Sequence, residues 1–269
     1  MRICLVSGAD ELKLRSYINH YIYAREHGLD YRLECGLDDD IRTKFDYKTS
    51  VLRRLLDQYD WLVWLDDDTY FTNFKSDGIN ELISSAEAAG KFLVVAEGPL
   101  EPNGFWSKIN TGVFAIKNSP RGMELLRRMH ETPLQEVREW WDDDRDGLFT
   151  NGDQDQMWYI LNKFNMMEYV DIVSHSLLNS RGHYYINSLS DNLVMHFCGY
   201  PDKKLGVVQF SKRFSIGQEL VPQELMDKYS SRVQSPMNVL EYNFRSIRQK
   251  GLSKVKGILR PYYNKYFKK

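Results

Sequence analysis

The chain has 269 residues, with 36 basic and 37 acidic side chains, 42% hydrophobic and 27% charged residues, a globular composition that excludes general disorder. No stretch approaches the about 18 apolar residues of a membrane span, and Arg2-Ile3-Cys4-Leu5-Val6-Ser7 runs straight into Gly8-Ala9-Asp10 without a signal-peptide pattern. Cys4, Cys35 and Cys198 stand singly, which argues against a zinc cage or a disulfide framework and points to a reducing cytoplasm. In chain order, the apolar run over 2–7 predicts a buried first strand, with a turn at Ser7-Gly8-Ala9. Asp10 is placed to cap a helix over 11–27, closed by Gly28. A second strand follows over 31–35, then a helix over 48–59 with Val51, Leu52, Leu55 and Leu56 on one face. Trp61-Leu62-Val63-Trp64-Leu65 has no polar member, as expected of a central strand covered on both sides. A helix over 78–89, strands over 92–96 and 112–117, and helices over 121–130 and 153–164 come next. Short strands over 169–173 and 193–195 complete the pattern. Alternating strands and helices in the first half predict an α/β sheet with parallel strands.

The sharpest chemical signal is Asp66-Asp67-Asp68, directly after the apolar strand. Ligands of open α/β sheets bind beyond the carboxyl ends of the strands. If the chain stays extended there, Asp66 and Asp68 point the same way. Two such carboxylates repel unless a cation lies between them. A hard Mn²⁺ or Mg²⁺ ion suits oxygen ligands and could bridge to a diphosphate. The plain structural reading is a solvated acidic turn.

These residues carry a resemblance. Residues 61–71, WLVWLDDDTYF, resemble the strand and DxD motif of GT-A glycosyltransferases, which use nucleotide-sugar donors. Residues 110–118, NTGVFAIKN, are similar to a segment of the retaining α-galactosyl-, xylosyl- and mannan-α-mannosyltransferases. Residues 153–161, DQDQMWYIL, are similar to that family's DQ helix start and to the DQD of glycogenin-like and lipopolysaccharide galactosyltransferases. Residues 195–199, MHFCG, resemble the family's HF-x-G motif, and Lys203 and Lys204 lie where a lysine often follows. The four segments occur in the family's order over roughly residues 1–205. Two departures are the missing N-terminal anchor of the eukaryotic members and a different spacer after the HF-x-G glycine.

The resemblance implies a mixed sheet flanked by helices and a metal held by Asp66, Asp68 and His196. It implies donor contacts from Ser7, Gly8, Ala9, Lys48, Asp66, Asp67, Asn110, Thr111, Gly112, Gly199 and Lys203 or Lys204. Asp153, Gln154 and Asp155 are assigned to the reacting centre, with Asp153 and Asp155 not separated. Each has a plain alternative. A lone histidine is more often structural, Asn-Thr-Gly suits any turn into a strand, Lys48 suits a solvated helix face, and Asp153 suits a helix N-terminus. Trp140-Trp141-Asp142-Asp143-Asp144 reads as a loop, for acceptor stacking or for packing, and not as a second metal site.

The expectation is a metal-dependent retaining transferase. It moves a hexose or pentose from a nucleotide-diphosphate sugar to a saccharide or glycolipid acceptor. A sugar-nucleotide nucleotidyltransferase is the competing enzyme class, although Ser7-Gly8-Ala9-Asp10-Glu11 lacks its basic Gly-rich loop. A non-catalytic sugar-binding relative is the other alternative.

Residues 241–269 carry nine Lys/Arg against one acid, Glu241, and the remainder carries nine more acids than bases. An acidic body is not that of a nucleic-acid binder. The sequence therefore divides into a catalytic domain over 1–234 and a basic amphipathic tail over 235–269. That tail suits either packing on the body or docking on an anionic membrane, at the inner face in a cytoplasmic setting.

Overall fold

The computed structural model describes residues 1–36, 46–232 and 237–267, and beyond 257 only the side chain of residue 259. The elements are β1 (Ile3–Ala9), α1 (Ser16–Glu26), β2 (Asp30–Cys35), α2 (Asp46–Leu55), β3 (Trp61–Leu65), β4 (Thr69–Phe71), α3 (Gly78–Ala88) and β5 (Leu93–Ala96). They continue with β6 (Asn110–Lys117), α4 (Pro120–Glu131), α5 (Leu134–Trp140), α6 (Asp143–Asp146), α7 (Asp153–Lys163), β7 (Val170–Val173), α8 (His175–Leu178) and β8 (Val194–His196). The last three are α9 (Lys203–Arg213), α10 (Gln223–Lys228) and α11 (Val239–Phe267).

Six strands form one sheet in the order β2-β1-β3-β6-β5-β7. Strand β3 pairs parallel to β1, and β6 runs antiparallel to both β3 and β5. The parallel expectation drawn from the strand–helix alternation therefore fails at β6, and the sheet is mixed, as the resemblance implies. A strand buried on both faces reads as a continuous apolar run in either direction, so its sequence carries no mark of polarity.

Side-chain alternation divides the sheet between two cores. Val6, Leu62, Trp64, Phe114, Ile116 and Val95 face one core with α2, α4 and α7. Leu5, Trp61, Val63, Leu65, Val113 and Val94 face the other with α1 and α3. Trp61 and Trp64 are essentially unexposed, and each contributes about 2–3 kcal/mol through burial.

A small antiparallel pair, β4 with β8, lies outside the main sheet. Neither its pairing nor β4 itself is readable from three residues. Asn19 of α1 holds β4 at both polar groups of Phe71, accepting from its N–H at 2.7 Å and donating to its carbonyl at 2.9 Å. A third apolar cluster, with Tyr70, Tyr185, Phe197 and Phe210, packs beneath this pair.

Three further expectations change. Helix α1 starts at Ser16, not near residue 11, because β1 runs on to Ala9 beside Cys35 and Ser16 Oγ ties the helix start to the Asp67 carbonyl at 2.7 Å. Asp10 caps no helix; its carboxylate accepts from the next residue's N–H at 3.0 Å. Trp140 ends α5 and Trp141 packs against the first core, with its indole donating to the Gly147 carbonyl at 2.9 Å. Asp142 caps the single turn α6 through the N–H groups of Asp144 and Arg145.

The composition shift at 234–236 and the side chains of Ile258, Arg260, Tyr262, Tyr263, Tyr266 and Phe267 lie outside the described residues. No helix among the described residues is long and apolar enough to cross a membrane.

Candidate active site

The carboxyl end of β3 opens into a cleft of about 860 Å³. The acidic segment there is a turn, not an extension of the strand. The Asp66 N–H donates to the Gly112 carbonyl at 2.8 Å, and the Asp66 carbonyl accepts from the N–H of Thr69 at 3.1 Å. Asp66 and Asp68 converge through this turn, a correction to the alternation expected of extended chain. Candidate ligand atoms of Asp66, Asp68 and His196 lie within 4.8 Å of one another.

His196 comes from β8, held opposite Thr69 of β4. Its Nε2 stands 3.2 Å from Asp68 Oδ1, and its Nδ1 stands 3.0 Å from Asn179 Oδ1. The Asn179 amide cannot turn over freely, because its Nδ2 donates to the carbonyls of Asn110 and Val113 at 3.1 and 3.0 Å. Its oxygen therefore faces the imidazole, so Nδ1 carries the proton. In the neutral ring that leaves the Nε2 lone pair against a carboxylate oxygen, a repulsive contact unless a proton or a cation lies there. Two acids and an imidazole fixed in this tautomer fit a hard or borderline divalent ion. Asn179 is wholly buried and was not found by sequence reasoning. Nothing in its local sequence marks it, because its three partners come from β6 and β8.

Gly112 has a steric reason. A Cβ there would lie 2.2 Å from His196 Cε1 and 2.9 Å from Asn179 Oδ1. Gly8 meets a similar limit, since a Cβ would lie 2.4 Å from the Glu34 carbonyl.

Two lysines bracket the acids. Lys48 of α2 is buried, with Nζ 2.7 Å from Asp153 Oδ2, 3.1 Å from Asp66 Oδ1 and 2.8 Å from the Thr111 carbonyl. All three of its N–H positions are thus taken within the protein. Burial works to lower its pKa, but Asp153 and Asp66 hold it above the ordinary lysine value. Lys203, the first residue of α9, reaches Asp68 Oδ2 at 2.6 Å and keeps a side chain 45% exposed. Burial pushes the Asp68 carboxyl up, but His196 and Lys203 hold it below the usual range. For Asp67, burial and the Asp68 charge outweigh the Lys203 charge and a backbone hydrogen bond from Lys13, and push it up to about 6.

Asp153 opens α7 and faces the cleft, where its Oδ2 also accepts from Thr111 Oγ1 at 2.7 Å. Asp155 turns away. It accepts from the N–H of Thr150 at 2.8 Å and of Gly152 at 3.3 Å, as the acidic half of a capping box. Among the expected residues, Gly8, Ala9, Lys48, Asp66, Asp67, Asp68, Asn110, Thr111, Gly112, Asp153, Gln154, His196, Lys203 and Lys204 line the cleft. Ser7, Asp155 and Gly199 do not. Ser7 is buried and bonded to the Tyr31 hydroxyl at 2.6 Å, and Gly199 supplies a left-handed turn, φ 76°, between the cleft residues Cys198 and Tyr200. Trp64 is an added cleft contact, its indole donating to Asp66 Oδ1 at 2.6 Å.

No family model and no curated sequence matches the chain. Among solved structures, it is similar to a glycosyltransferase involved in the glycosylation of the major capsid of PBCV-1. The TM-score is 0.54 at 15% identity, over 82% of this chain and all of that one. The two chains share a fold, here a six-stranded mixed sheet flanked by helices. Looser overlaps occur with mouse xyloside xylosyltransferase 1, at TM-score 0.40, 12% identity and coverage of 75% of this chain and 100% of that one. A197 from STIV overlaps at TM-score 0.32, 13% identity and coverage of 48% and 68%. These two are too distant to define a shared fold. In this fold the acidic turn sits at the carboxyl end of a central strand, where open α/β sheets place ligands.

Proposed function

We propose that the chain is a metal-dependent retaining glycosyltransferase. It moves a hexose or pentose from a nucleotide-diphosphate sugar to a saccharide or glycolipid hydroxyl. The observation that carries this reading is the convergence of Asp66, Asp68 and His196 in one cleft with Lys203 and Asp153. A bound Mn²⁺ or Mg²⁺ ion would supply Lewis-acid stabilisation of the leaving diphosphate.

The chain's own residues divide the rest of the work. Gly8 and Ala9 let the nucleotide approach the backbone at the end of β1. Lys203 is a partly exposed cation of the cleft, bonded to Asp68, and offsets diphosphate charge. Lys48 has no donor to spare, so it positions Asp66 and Asp153 and does not grip phosphate. Asp153 is the carboxylate for the reacting centre, either as a nucleophile in a double displacement or as the charge beside a front-face attack. Gln154 lies next to it in the cleft. Asp155 keeps the preceding loop in place.

The test is Mn²⁺ binding, alone and with a nucleoside diphosphate, by titration calorimetry and by hydrolysis of a panel of nucleotide sugars. The full chain should bind the diphosphate only with metal and hydrolyse one sugar nucleotide slowly. Asp68→Ala should lose the metal dependence of binding while keeping its far-UV spectrum. Unchanged Mn²⁺-dependent binding in Asp68→Ala would overturn the metal assignment. Turnover of a sugar phosphate with a nucleoside triphosphate would favour a nucleotidyltransferase.

A further inference from the structure

Helix α11 meets the body through its polar side. Arg245 Nη1 reaches Asp202 Oδ2 at 2.7 Å, and Lys212 of α9 lies over the Tyr242 ring at 3.4 Å. The apolar stripe points elsewhere. Leu240, Phe244 and Ile247, at i, i+4 and i+7, are 82%, 68% and 72% exposed, and Val255 extends the same face at 50%. Arg248, Lys250 and Lys254 stand along its borders by helical spacing. An open groove of about 1180 Å³ runs beside the helix, with Phe244, Leu252 and Leu259 interleaved with Arg248 and Lys256. It joins the catalytic cleft, because Pro201, Asp202 and Arg245 line both.

We propose that α11 docks on an anionic lipid surface and that the acceptor is lipid-borne, entering the cleft past Arg245. The second part rests on the glycosyl-transfer reading. Apolar side chains in a row beside lysines and arginines match the acyl and headgroup layers of a bilayer together. A nucleic acid would use the charges but leave Leu240, Phe244 and Ile247 in water. A second copy of α11 would cover the stripe but bring two basic faces together. The excess of acids on the remainder of the chain keeps the body off an anionic surface and so favours contact through the helix.

The experiment is co-sedimentation of the full chain at low salt with phosphatidylcholine vesicles and with vesicles also containing phosphatidylglycerol. Phe244→Glu/Ile247→Glu is compared with the natural sequence. Mn²⁺-dependent hydrolysis of a nucleotide sugar, with water as acceptor, is followed in parallel. The natural chain should pellet about tenfold more with anionic vesicles, and the double variant should stay in the supernatant with unchanged hydrolysis. A natural chain that ignores anionic vesicles overturns the docking. So does a double variant that pellets equally, or a dimer in solution that the double variant abolishes. Hydrolysis without vesicle binding leaves the transferase reading standing and removes the docking surface. Vesicle binding without hydrolysis of any donor supports the surface and removes the transferase reading, and the lipid-borne acceptor with it.

Discussion

Gly112 sets how closely β6 can approach His196. With 2.2 Å between a built Cβ and the imidazole Cε1, Gly112→Ala must displace the ring or the strand. The ring is the softer partner, so its hydrogen bond to Asn179 breaks first. Gly112→Ala should weaken Mn²⁺ affinity about 10–100-fold, the usual cost of disturbing a ligand's orientation, measured by calorimetry. Asp67 tests the electrostatics of the same turn. Its pKa is raised from 3.8 to about 6 by burial and by Asp68. A raised folded-state value means that stability is full below about pH 4 and is lost as pH rises through 6. Asp67→Asn should remove that loss. Thermal unfolding in chelator should find the variant more stable at pH 7 by on the order of 1–2 kcal/mol, and no different at pH 4. An equal gap at both pH values would assign the effect to packing.

Helix α7 carries two acids one turn apart in role, although only two residues apart in sequence. Asp153 points into the cleft, where Lys48 and Thr111 hold it. Asp155 fastens the N–H groups of Thr150 and Gly152. Asp153→Asn keeps an acceptor for both partners, so donor binding should survive while turnover falls by about two orders of magnitude. Asp155→Ala should do the reverse, costing about 1–2 kcal/mol in unfolding free energy with smaller loss of turnover. Steady-state kinetics and denaturant titration on the pair separate the roles. If Asp155→Ala abolished turnover at unchanged stability, the assignment would be exchanged.

Lys48 belongs to the whole molecule, because it joins α2, the end of β3, β6 and α7 through one ammonium group. Replacing it with an apolar residue leaves Asp66 and Asp153 as buried acids without their cation. Lys48→Met should cost about 3–5 kcal/mol, which lowers the melting temperature by about 10 °C for a chain of this size. Added Mn²⁺ should recover part of that loss, since a divalent ion at Asp66 supplies the missing positive charge; calorimetric melting with and without metal reads the difference.

Much of this molecule is written locally. The run Trp61–Leu65 names a central strand because no polar residue interrupts it, and the three aspartates after it mark the end that opens into the cleft. Segments 110–118, 153–161 and 195–199 also carry their own chemistry, which is why most expected residues do line the cleft. What the sequence leaves open is direction, partnership and side-chain aim. The antiparallel course of β6 leaves no local mark, since a strand covered on both faces is apolar either way. Asp155 is fastened locally, by Thr150 and Gly152, but the hold on Asp153, the fixed tautomer of His196 and the capture of Lys48 by two acids depend on groups 17 to 105 residues apart in the chain. Those contacts exist only once packing brings β6, β8, α2 and α7 to one end of the sheet, because no local pattern encodes which distant partner a polar side chain will meet.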